Sequence, residues 1–96
     1  MATTTRSQPL SDTAIFSRVI NPNNDDLPTE AAEAFLRIRF DALDLDRMHE
    51  LAERNQEDLL SPDKRLEMEN YRRVSFLLDL MHSKARRSLK KHHVGQ

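Results

Sequence analysis

The chain has 96 residues, 15 Lys and Arg against 16 Asp and Glu, a formal net charge of −1, and no Cys. One small domain with a thin core is expected at this length, because a short chain buries a smaller share of its surface on folding. Zero Cys excludes a disulfide scaffold, a Cys-based metal site and a thiol nucleophile, and a single Gly, at Gly95, excludes glycine-rich phosphate loops and the nucleophile elbow.

Residues 1–10 (MATTTRSQPL) hold little to bury and read as a disordered arm. They lack the apolar stretch of a signal peptide, and no apolar run in the chain approaches the roughly 20 residues of a membrane span, so a cytoplasmic protein is expected. A single helical domain over 11–91 follows, then a flexible tail at 92–96. Ser11 and Asp12 open a short helix through Ile20, with Ile15, Phe16, Val19 and Ile20 as its apolar contacts. Asn21 to Pro28 is a loop, since Asn and Asp side chains compete for backbone hydrogen bonds and two prolines remove donors.

A helix starts near Thr29, with Ala31, Ala34, Phe35 and Ile38 at i, i+3, i+4 and i+7 on its inner face. Asp41 or Asp44 opens the next, where Leu45, Met48, Leu51 and Ala52 form the apolar stripe. Ser61-Pro62-Asp63 is the clearest start signal in the chain: a hydroxyl cap, a proline where its missing donor costs nothing, and an acid at the positive helix end. From Pro62 to about Lys91 no Gly or Pro interrupts. No segment alternates with period two. The fold class is therefore all-α: a small domain in which two shorter helices pack on one long C-terminal helix.

On the long helix, Leu66, Val74, Leu77, Leu78, Met81, Ala85 and Leu89 form the expected core stripe. Arg72, Arg73, Lys84, Arg87, Lys90 and Lys91 lie opposite, and Phe76 and Leu80 sit among these cations. Two large apolar groups on a basic face need a cover: the N-terminal helix, a second copy, or a partner protein. Arg72, Arg73, Phe76, Leu80, Lys84 and Arg87 are accordingly the candidate partner-binding set, an apolar pair ringed by steering cations. Residues 1–71 carry 8 Lys and Arg against 15 Asp and Glu, and residues 72–96 carry 7 against one, a split of −7 and +6. Lys84, Arg86, Arg87, Lys90 and Lys91 are the alternative nucleic-acid-binding set, although a cation-rich helix C-terminus also stabilises itself against the macrodipole. The same face pairing two copies would make a structural homo-oligomer.

Asp46-x-x-His49 and Asp79-x-x-His82 repeat a carboxylate–imidazole spacing found in di-metal bundles, but the carboxylates are Asp, and only Glu30 and Glu33 stand on the preceding helix. Neither a metal site nor a cofactor is expected. No Ser, His or acid pair sits where a desolvated cleft would tune it, so the chain reads as non-enzymatic. Tyr71 reads as packing. Asp79, inside the most apolar window, either faces solvent or needs a cross-helix partner such as Arg37 or Arg39.

From Val19-Ile20-Asn21-Pro22 onward the chain resembles a family of small bacterial helical proteins. The resemblance rests on Glu30-Ala31-Ala32, Phe35-Leu36, Asp46-Arg47-Met48-His49-Glu50-Leu51-Ala52, Leu60-Ser61-Pro62-Asp63, Glu69-Asn70-Tyr71-Arg72-Arg73-Val74 and Leu77 to Arg86. It covers about three quarters of the chain. Such proteins are often encoded beside an HNH-type nuclease, which implies an antitoxin-like or regulatory partner of that nuclease. The family supplies no catalytic residues.

Overall fold

The computed structural model describes residues 9–94, with side chains as far as His92. Every regular element among them is a helix: α1 (Asp12–Ile20), α2 (Thr29–Arg37), α3 (Ala42–Gln56) and α4 (Pro62–Val94). Local capping chemistry sets most of the boundaries. The Ser11 hydroxyl accepts from Ala14 N–H at 3.1 Å, and Asn21 closes α1 in the left-handed region at φ 51°. Asp41 accepts from Asp44 N–H at 2.9 Å to open α3. Asp58, at φ 59°, ends that helix, and Leu59 N–H reaches back to Arg54 O at 2.9 Å. Glycine usually fills this left-handed position after a helix; here an Asp does so, because short polar side chains tolerate it. Ser61 caps α4 through Lys64 N–H at 3.2 Å, with Pro62 as its first residue.

The 33 residues of α4 give a rod of about 50 Å at 1.5 Å per residue. All three shorter helices pack on it. α1 runs in the same direction as α4, from Asp12 beside Arg73 to Ile20 beside Lys84. α2 runs antiparallel, from Leu27 against Ser88 and His92 to Ile38 against His82. α3 forms an antiparallel hairpin with the first half of α4. The Cα envelope is 53 × 48 × 16 Å, at most two helices deep at the usual 8–10 Å spacing. The radius of gyration is 17.5 Å, against about 12–13 Å for a compact chain of this length.

So open a shape buries little. Ala32, Leu51, Leu60, Met68 and Ala85 are the buried hydrophobic residues among those described. Leu51, Leu60 and Met68 make one cluster, closed by Tyr71. Ala32 and Ala85, both fully buried, let α2 approach α4 closely.

The expected faces need correction in two places. α2 stops at Arg37, so Ile38 lies outside it and is 47% exposed, while Ala32 takes the buried position. On α4, Leu66 and Val74 are 59% and 42% exposed. α3 covers the Met68 and Tyr71 side of that half, α1 begins beside Arg73 on another side, and α2 reaches back only to His82. The helix also continues to Val94, past the expected end near Lys91. The expected arm lies outside the described residues except for Pro9 and Leu10, which are not helical, and Gly95 and Gln96 lie outside them too.

Candidate partner-binding groove and basic edge

At 100° per residue the three packed helices divide the circumference of α4 unequally. Arg73, Leu80 and Lys84, within about 40° of one another, face α1. His82, Ala85 and Ser88 face α2, and Met68, Tyr71 and Ser75 face α3. The remaining arc, about 100° wide, carries Arg65, Glu69, Arg72, Phe76, Asp79, Ser83, Arg86, Arg87 and Lys90, and no described helix covers it.

Phe76 is the large apolar residue on that arc, 47% exposed. It forms one wall of a groove of about 510 Å³ between α3 and α4. Met48, Leu51 and Ala52 line the opposite wall, Met68 and Tyr71 are on the α4 side, and Arg72 and Asp79 supply the charged edges. The α3 wall of the groove is uncharged: Asn55 and Gln56 stand at its end, while Glu50, Glu53 and Glu57 cluster around a separate depression with Leu59. The walls are firmly set. Arg47 bridges the helices with a two-pronged bond to Glu67, Nε to Oε2 at 2.9 Å and Nη2 to Oε1 at 2.7 Å, and reaches Glu50 at 2.8 Å. These bonds hold the Glu67 and Glu50 carboxyls below the usual carboxylate range and push the Arg47 guanidinium higher. Tyr71 donates to Asp44 Oδ1 at 2.8 Å, which raises its hydroxyl pKa, and its ring meets Phe40 edge-on at 5.9 Å.

The six residues of the candidate partner-binding set divide. Arg72, Phe76 and Arg87 share the open arc, and Arg72 pairs with Glu69 at 2.7 Å. Arg73, Leu80 and Lys84 lie on the α1 side. Arg73 lies 3.8 Å from Asp12, and Leu80 is half-buried. Lys84, its side chain only 12% exposed, donates to Ile20 O at 2.7 Å and pairs with Asp26 at 3.3 Å. The basic segment divides likewise. Lys91 pairs with Asp25 at 3.3 Å, whereas Arg86, Arg87 and Lys90 are exposed and make no ion pair among the described residues. The folded chain thus uses Lys84 and Lys91 to hold its own acidic loop and leaves three cations outward.

Asp79 is exposed, the solvent-facing alternative, and pairs with neither Arg37 nor Arg39. The two Asp-x-x-His pairs do not converge. His49 sits 3.4 Å from Glu53, and His82 donates to Ile38 O at 2.7 Å. Among the described residues no group of three His, Asp or Glu is placed to hold a metal ion. No described helix is long and apolar enough to cross a membrane. Sequence reasoning missed the groove's α3 wall. The signal was there in the stripe Leu45, Met48, Leu51 and Ala52, which is wider than contact with one helix requires: Leu51 is fully buried, yet Leu45 and Ala52 are exposed.

No family model matches the chain, and neither a curated protein nor a solved structure does.

Proposed function

We propose that this chain is a non-enzymatic protein–protein interaction module that takes a helix of a partner into the α3–α4 groove. The observation that carries this reading is Phe76, a large apolar side chain half-exposed beside Met48 and Ala52 on an arc of α4 that no described helix covers. A groove of this form suits the i, i+4, i+7 anchors of an amphipathic helix. Two methionines on its walls, Met48 and Met68, adapt to the shape of what enters. The resemblance to proteins encoded beside HNH-type nucleases makes such a nuclease the first partner to try, and a regulatory role would follow from its capture.

The test places a photo-crosslinking phenylalanine analogue at Phe76 and, as a control, at Val19 on the outward side of α1, in the source cell. A covalent adduct from position 76 to one defined segment of another polypeptide is expected. Equal labelling from both positions, or none from position 76, would remove the groove as a docking site.

A further inference from the structure

The open arc has a chemistry of its own beyond the groove. It holds Arg65, Arg72, Arg86, Arg87 and Lys90 against Glu69 and Asp79. Arg72 is offset by Glu69 at 2.7 Å, and the α3 wall brings no acid to the groove, because its glutamates gather on another side. The excess positive charge lies toward the C-terminal half of α4, beyond the end of the apolar walls. From Phe76 to Lys90 is about 21 Å along a helix, or four turns of a partner lying on the same arc.

Resting on the docking reading above, we infer that the occupant is an acidic amphipathic helix: apolar anchors enter between Met48, Ala52 and Phe76, and carboxylates farther along the same helix meet Arg86, Arg87 and Lys90. Charge complementarity selects this occupant over a second copy, since the α4 arcs of two copies laid together would bring cation against cation. It also selects it over a nucleic acid. Phosphate-driven affinity grows with the number of cations engaged. Here Lys84 and Lys91 are already held by Asp26 and Asp25, and Asp79 and Glu69 stand on the same arc as the free three.

The test uses the full chain and two labelled 21-residue peptides read by fluorescence anisotropy. Both peptides carry Leu at i, i+4, i+7 and i+11; one has Glu on its flanks and the other Lys. The Glu peptide should bind at least about ten-fold tighter than the Lys peptide, with the margin shrinking as salt rises. The triple variant Arg86→Gln/Arg87→Gln/Lys90→Gln should lose most of that margin with little change in melting temperature, since none of the three makes an ion pair among the described residues. Phe76→Ser, and independently Ala52→Gln from the other wall, should weaken both peptides. Equal binding of both peptides, still weakened by Phe76→Ser, would overturn the acidic partner and leave the groove standing. Failure of both peptides to bind, or binding indifferent to Phe76→Ser and Ala52→Gln, would overturn the groove as well. A 20-base-pair DNA duplex that binds more tightly than the Glu peptide, lost in the triple variant but not in Phe76→Ser, would assign the cations to nucleic acid and overturn the inference.

Discussion

The two halves of α4 are held to the rest of the chain by different physics. The first half packs on α3 through side chains: the Leu51, Leu60 and Met68 cluster, with the Arg47–Glu67 bridge and the Tyr71–Asp44 bond at its edge. The second half holds α1, the acidic loop and α2 through half-buried apolar side chains such as Phe16, Phe35, Leu80 and Met81, and also through polar groups that reach backbone atoms. Lys84 binds Ile20 O at 2.7 Å, His82 binds Ile38 O at 2.7 Å, His92 binds Leu27 O at 2.9 Å, and Ser88 accepts from Leu27 N–H at 3.2 Å. Among the described residues, Ala32, Ala85 and Ser88 are the fully buried ones there. Apolar burial is non-directional and tolerates sliding, whereas bonds to single carbonyls fix a register. Because the one described cluster of buried hydrophobic residues lies in the hairpin, we expect the hairpin to be the stability centre and the other half to be a segment held in one alignment.

Core truncation should expose this difference most strongly. Leu51→Ala deletes a fully buried side chain from the cluster and should cost about 2–5 kcal/mol, a large part of the stability of a small domain. Loss of the whole transition in urea, by circular dichroism, is the expected result. Loss confined to α1 and α2 would show that the hairpin is not the centre. Ala85→Leu, which inserts bulk where α2 approaches α4, should cost about 1–3 kcal/mol. Hydrogen exchange should then rise in α1 and α2 while α3 stays protected. Ser88→Ala is a smaller change of the same kind: it strips the acceptor from Leu27 N–H in a partly buried place, for about 1 kcal/mol, with faster exchange centred on the 21–28 loop.

The same contrast explains what could be read from the sequence. Ser11, Asp41 and Ser61-Pro62 announce their helices because capping is settled within four residues, so the element order and the all-α class were legible. Which face of α4 is covered was not. Leu66 and Val74 fit the apolar stripe as well as Leu77 and Ala85 do, but α1 begins only beside Arg73 and α2 reaches back only to His82, which leaves them bare. Lys84 looked like a free cation beside Arg87 because its partner, the carbonyl of Ile20, is 64 residues away in sequence and belongs to a backbone that carries no charge. The groove was half legible. Phe76 broke the binary pattern, but its opposing wall belongs to a helix whose stripe already seemed accounted for.

The smallest effect separates the halves by pH. The Glu67 carboxyl, held below its unfolded value of 4.5 by Arg47, contributes stability that is fully present above that value and is lost as pH falls through the lower folded one. Glu50 contributes in the same sense. Glu67→Gln should therefore lower the melting temperature at neutral pH, where Arg47 loses a charged partner, and the difference from wild type should shrink toward zero in acid below 4.5. Both carboxylates lie on the hairpin, so local exchange rates in that pH range should change in α3 and the first half of α4. A mutant–wild-type difference that persists unchanged below pH 4 would mean that Glu67 acts through packing and not through charge, and the hairpin would then be apolar in its edge as well as in its centre.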